Sequence, residues 1–198
     1  MAGGQEHTVK AFDQDIGQLR GLISQMGGLA ESAIAQSIVA LQRGDADLAD
    51  QIRKGDRRID AIEAEVERTA VRIIALRAPM ADDLREVVAA LKIAGVVERI
   101  ADYAKNIAKR VPLLESDHRI EPVSMLPAMA RMAADMVTDV LNAFAARDPA
   151  AALAVCERDH ALDDFYDSIF RTLVTYMVEN PKTISECAHL LFIAKNIE

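Results

Sequence analysis

Residues 46–77, ADLADQIRKGDRRIDAIEAEVERTAVRIIALR, decide the fold. Leu48, Ile52, Gly55, Ile59, Ile62, Val66, Thr69, Ile73 and Leu76 fall in steps that alternate four and three. That rhythm marks one stripe of a helix packed lengthwise against others. Residues 149–179 carry the stripe again, at Ala151, Val155, Arg158, Leu162, Phe165, Ile169, Thr172 and Tyr176. A displacement of 103 superimposes the two halves: Met26 falls on Met129, Ile34 on Val137, Ile38 on Leu141, Leu41 on Phe144, Ile59 on Leu162 and Val66 on Ile169. Asp56 and Asp60 land on Asp159 and Asp163. A chain that repeats its core positions repeats its fold.

Composition agrees with helix on helix. Hydrophobic residues make up 51% of the 198, aromatics only 4%, and tryptophan is absent, so the core draws on Ala, Leu, Ile, Val and Met. The net charge is -8 and the isoelectric point is near 5.1. Arg57, Arg58, Arg72 and Arg77 sit among acids, so no basic stripe offers itself to nucleic acid. Cys156 and Cys187 form no CxxC motif, which favours a reducing compartment. Met1–His7 does not read as a signal peptide, and charges interrupt every apolar stretch before ~18 residues, so no membrane span is expected.

Breaks divide the chain into six helices, over about 8–43, 46–77, 82–115, 123–147, 149–179 and 183–198. Gly44-Asp45 ends the first helix and caps the second, and Pro79 marks the next turn. Asp148-Pro149 pairs an acidic N-cap with proline at the first helical position. Thr183-Ile-Ser-Glu186 reads as a capping box. Short connections make successive helices antiparallel neighbours. The expected fold is all-α: a tandem repeat of two antiparallel three-helix bundles, 8–115 and 123–198, joined by a connector over 116–122.

The candidate chemistry is acidic. On the third helix Leu84, Val88, Leu91 and Gly95 predict a packed stripe, and its rhythm runs on into Glu98 and Asp102. Residues four apart share a face, so these two point the same way. Folding the second helix back on the third about Pro79 brings Asp56 level with Asp102 and Asp60 level with Glu98, with Glu63 a turn beyond. Four carboxylates at one height make a hard oxygen-donor site for a transition metal or magnesium. A competing explanation is neutralisation by Arg57, Arg58, Arg99 and Lys105 as ion pairs of little worth. In the second half, Ile193-Ala-Lys-Asn-Ile-Glu198 matches Ile93-Ala-Gly-Val-Val-Glu98. The register then calls for a partner to Asp159 beyond Glu198, so the second bundle and its site are expected to be incomplete. Val155 and Leu162 are accordingly expected to lose cover.

These residues resemble the PhoU family. The family mark is a pair of Glu/Asp-x-x-x-Asp motifs, matched here by Glu98-Arg-Ile-Ala-Asp102 and begun by Glu198. Lys92–Ala108 is the most family-like stretch, and Asp56/Asp60 and Asp159/Asp163 match the acidic partners on the preceding helices. The resemblance implies a cytoplasmic, non-catalytic regulator that restrains phosphate-starvation signalling by connecting a phosphate ABC transporter with a PhoR-type sensor histidine kinase. It also implies metal ions such as iron, zinc, manganese or magnesium at Asp56, Asp60, Glu98, Asp102, Asp159, Asp163 and Glu198. A homodimer is expected, peripheral to the membrane through its partners only.

Two other readings stand beside it. A metal-free helical scaffold needs only the packed seams. A di-iron carboxylate enzyme would use two Glu-x-x-His motifs, and Glu157-Arg-Asp-His160 and Glu186-Cys-Ala-His189 have that form. Their heights in the fifth–sixth hairpin differ by roughly 15 residues, or ~22 Å, too far to share a metal. Met125, Met129, Met132 and Met136 follow helical spacing as adaptable core. Gly27-Gly28 lacks the Lys-Ser/Thr of a phosphate loop.

Overall fold

The computed structural model describes the backbone of residues 3–114 and 121–198 and the side chains of 12–114 and 123–198. Six helices form: α1 (Gly3–Arg43), α2 (Ala46–Arg77), α3 (Asp82–Ala108), α4 (Leu126–Ala146), α5 (Pro149–Glu179) and α6 (Ile184–Ile197). No strand occurs among the described residues. The connector expected over 116–122 falls outside the described residues as far as 120, as do His7 and His118 among the side chains.

Both halves enter their middle helix by one device. Asp45 accepts from the Leu48 amide at 2.9 Å, and Asp148 accepts from the Ala151 amide at 3.0 Å. Each cap satisfies a donor that the first turn leaves unpaired. The residue before each cap is left-handed: Gly44 at φ 64 and, in the equivalent place, Arg147 at φ 55. Glycine takes that conformation freely, whereas arginine takes it at a steric cost. Arg147 also reaches Glu86 on α3, which accepts from Arg20 on α1 as well. One carboxylate thus ties α1, α3 and the α4–α5 turn together.

In the first bundle α1, α2 and α3 pack mutually; in the second, α5 packs on α4 and α6. The two bundles meet through α1 on α4 and α3 on α6. One core, of Ile16, Leu19, Ile23, Met26, Ile59, Val66, Ile73, Val87 and Val97, belongs to the first bundle. The other is shared: Ile34, Leu41, Ile107 and Val111 join Met129, Leu162, Leu173, Cys187, Leu190 and Ile193. Gly27 is buried on α1 beneath Leu141 of α4, where an added Cβ would collide with that side chain. The glycine permits this close approach between bundles.

The packed face of α3 differs from the expected one. It is Val87, Ala90, Ala94, Val97, Ala101, Ala104 and Ile107, turned from the predicted stripe. Leu84 and Val88 remain 38% and 39% exposed. Alanines let the helices approach closely, and the larger apolar residues fall on the rim. Glu98 and Asp102 therefore border the packed face instead of interrupting it. The α2 seam holds at Ile52, Ile59, Ile62, Val66, Thr69 and Ile73, but Gly55 and Leu76 are exposed, and Asp56 beside Gly55 is buried. α3 stops at Ala108, and a 3-10 turn follows over Val111–Leu113, since Pro112 has no amide to donate. α4 starts at Leu126 after a 3-10 turn. The expected capping box at Thr183 does not form: its hydroxyl donates to the Asn180 carbonyl at 2.8 Å, and α6 starts without a side-chain cap.

Val155 and Leu162 are buried, contrary to expectation. Leu162 sits in the shared core with Ile34 and Ile107, so the first bundle supplies its cover. A groove of about 750 Å³ runs between α3 and the α4–α5 hairpin, lined by Ile93, Val96, Val137, Val140, Leu141 and Phe144 among others. Val137, Leu141 and Phe144 repeat Ile34, Ile38 and Leu41, which are buried in a core that includes the second half of α3.

Candidate metal centre

Asp56, Asp60 and Glu63 rise along α2, and Glu98, Asp102 and Lys105 descend α3 beside them. The register is visible at Gly95, whose added Cβ would stand 3.6 Å from Glu63 Oε1. Asp56 is only 6% exposed. Lys105 Nζ donates to Asp56 Oδ2 across the helix pair and to Asp102 Oδ1 at 3.0 Å within α3. Both bonds are charge-assisted. Lys105, read from the sequence only as one of four neutralising cations, is the one that ties the two helices.

The electrostatics agree with acids that neighbour one another on α2 and α3. Burial pushes the Glu98 carboxyl above its ordinary 4.5, and Asp102, Glu63, Asp60 and Asp56 push it further. Glu63 is raised by burial first, then by Glu67 and Asp60. Lys105 is held above its ordinary 10.5 by its hydrogen bonds to Asp56 and Asp102, against the opposing effect of burial. Like charges brought together shift in this way unless a cation separates them. Asp56 also lines a cavity of about 120 Å³ between α1 and α2, with Ser32, Gln36 and Gln51.

The second set is arranged differently. Asp159 and Asp163 are exposed, in contrast to the buried Asp56. Asp159 and Glu198 line one cavity of about 190 Å³ together with Tyr103, Leu162 and Asn196. Lys195 donates to Glu198 Oε1 at 2.7 Å and lies over the Tyr166 ring. Its pKa is raised chiefly by Glu198, and also by Tyr166 and Asp163. The cation here comes from α6 itself, a contribution the repeat did not disclose because Lys195 falls where α3 has Gly95.

With the side chains as they lie, no three His, Cys, Asp or Glu among the described residues stand close enough to hold a metal. This covers the Glu157/His160 and Glu186/His189 motifs; Glu157 and His160 are exposed, and His189 Nδ1 is buried without a hydrogen-bond partner. The α2–α3 donors nevertheless fit a hard cation in kind. Their carboxylates lie on one helix pair, Glu98 feels the charge of four other acids, and an ammonium already bridges two of the set. Asp56, Asp60, Glu98 and Asp102 would hold such an ion, and its charge would relieve their mutual repulsion.

Fold and site together define a tandem three-helix-bundle protein whose distinctive chemistry is a helix-borne carboxylate cluster at the bundle rim. A family model described as PhoU domain matches residues 23–111 and again 126–198. The chain belongs to the PhoU family. It is 57% identical over 192 residues to the phosphate-specific transport system accessory protein PhoU homolog of Zymomonas mobilis, covering 97% of this chain and 81% of that protein. The homolog of Caulobacter vibrioides is 45% identical over 194 residues, covering 98% and 84%. The crystal structure of PhoU from Pseudomonas aeruginosa superposes with a TM-score of 0.90 at 32% identity, over 94% of this chain and 90% of that one. The phosphate transport system regulatory protein PhoU from Streptococcus pneumoniae gives 0.88 at 25%, over 94% and 88%.

Proposed function

We propose that this protein is a non-catalytic accessory regulator of phosphate uptake and phosphate-starvation signalling. It acts by docking, to a phosphate ABC transporter and to a PhoR-type sensor histidine kinase, as a cytoplasmic homodimer. Family membership supports the regulatory role, since the relatives are named for the phosphate transport system. No described helix is long and apolar enough to cross a membrane, and contact with the membrane runs through those partners.

The observation that carries the metal part is the gathering of Asp56, Asp60, Glu63, Glu98 and Asp102 on one helix pair. Iron, zinc, manganese or magnesium held there assists docking by presenting positive charge on an acidic surface. Asp159, Asp163 and Glu198 form the second candidate set. The ion pairs of Lys105 favour an alternative in which the carboxylates are structural and docking is metal-free.

Pull-down against the transporter ATPase and the sensor kinase tests the docking: folded protein that captures neither removes it. A deletion strain that keeps uptake genes repressed in high phosphate removes the signalling role. Elemental analysis of protein purified without chelator separates the metal-bearing from the metal-free form.

A further inference from the structure

We propose that the groove between α3 and the α4–α5 hairpin is the seat of an amphipathic helix lying in line with α6, with a packing face like that of the second half of α3. The proposal goes beyond the regulatory function above and depends on no metal.

The internal repeat supplies the first argument. On α1, Ile34, Ser37, Ile38 and Leu41 are all buried, Ser37 completely. A displacement of 103 makes their counterparts Val137, Val140, Leu141 and Phe144 on α4. These four are all partly open to water, and Val140 is 39% exposed. The α1 residues belong to a core to which α3 contributes Ala104, Ile107 and Ala108. One face thus occurs twice, and it is sealed only in the first bundle. A contiguous apolar patch left open in this way marks a surface that takes a partner element.

Continuity with an existing interface supplies the second argument. α6 packs on both α3 and α4. Ile100 and Val137 line a cavity together with Asn196, Ile197 and Glu198 at the last turn of α6. The same two residues line the groove, which runs on past Ile93 and Val96 of α3 and Leu141 and Phe144 of α4 to Ala152 of α5. The groove therefore prolongs the surface that α6 already occupies. Along α4, from Val137 to Arg147, it extends ~15 Å, or about three turns of helix. Its interior is apolar, and its far end carries both signs of charge at Asp82, Asp83, Arg85, Arg147 and Asp148. That pairing suits a helix with one apolar face and mixed polar flanks. The match of Ile193–Glu198 with Ile93–Glu98 fixes the register in which such a helix would follow α6.

The test supplies that helix from the chain's own sequence. A copy of Arg99–Arg110 is appended behind Glu198, where the register of α3 places it. The appended protein should melt higher than the parent by about 5 °C or more. Thiol labelling reads the groove directly. Val140→Cys is made in a Cys156→Ser background, since Cys156 is exposed and Cys187 is buried. The appended copy should slow labelling of Val140→Cys by about tenfold or more. A second appended copy carrying Ala104→Glu and Ile107→Glu should give neither effect, because its face is no longer apolar. If Val140→Cys misfolds, Val96→Cys on the opposite wall, 59% exposed, replaces it. Unchanged melting and labelling with the first copy overturn the proposal. Equal protection by both copies overturns it as well, since the groove would then not be reading an apolar face. Labelling of the chain without any appended copy that slows as protein concentration rises assigns the groove to a second copy of the chain, and also overturns it.

Discussion

Replacing Lys105 with methionine should expose how much of the first bundle's stability depends on one ammonium. The change keeps the stem's packing and deletes the charge, leaving Asp56 buried without its bridge. Breaking a fully buried pair costs about 3–5 kcal/mol, and a hydrogen bond to a charged group is worth about 1.5–3 kcal/mol. Lys105 and Asp102 are partly in water, with side chains 27% and 44% exposed, so the lower part of the range applies, at about 2–3 kcal/mol. For a chain of this size each kcal/mol moves Tm by about 2–4 °C, which gives a fall of about 4–12 °C. The assay is thermal unfolding by circular dichroism at pH 7 with chelator present, on Lys105→Met, Asp56→Asn and the double variant. The double variant should recover much of the loss, because a neutral amide at position 56 no longer needs a counter-ion. Acid should narrow the gap between Lys105→Met and the parent, since protonating the crowded carboxyls removes their repulsion. The folded-state pKa of Lys105 is raised, so its own contribution is complete below the ordinary 10.5 and fades only as pH climbs through the raised value. A Lys105→Met protein that melts with the parent, or a double variant whose losses simply add, would refute the reasoning.

Glu98→Gln should raise Tm at neutral pH in chelator. Its folded pKa lies above the unfolded one, so stability falls as pH rises between the two; the advantage of Gln should vanish below about pH 4, where both states are protonated. Thermal melts across about pH 3 to 8 check this. Gly28→Ala, on an exposed helical site with open space around it, should stabilise by about 0.5–1 kcal/mol. Gly27→Val must displace Leu141 and should destabilise by about 1–3 kcal/mol; a urea midpoint that moves the same way for both would contradict the close approach of α1 to α4. Ile193→Ala removes a fully buried side chain from the shared core and should cost about 2–5 kcal/mol. Calorimetry should show one transition moving as a whole, and a separate early transition for residues 126–198 would mean that the bundles unfold independently.

Interactions that act within a few residues were legible in the chain itself. Periodicity, Asp45 and Asp148 before their helices, and the prolines gave the helices and their order, because caps and breaks are local. The 103-residue displacement told of a repeated fold, and both members of matched pairs such as Met26 with Met129 and Val66 with Ile169 are buried. The hairpin about Pro79 made α2 and α3 antiparallel neighbours, and Gly95 lies against Glu63 as that packing requires. Contacts between residues far apart in the chain were settled by packing alone. Which face of α3 is covered depended on how closely its alanines let neighbouring helices approach. That Lys105 bridges to Asp56, that Glu86 collects arginines from two bundles, and that Leu162 takes cover from Ile34 all follow from how the helices meet. So does the burial of Asp56 while its counterpart Asp159 stays in water: identical spacing meets different neighbours, and desolvation is a property of neighbours.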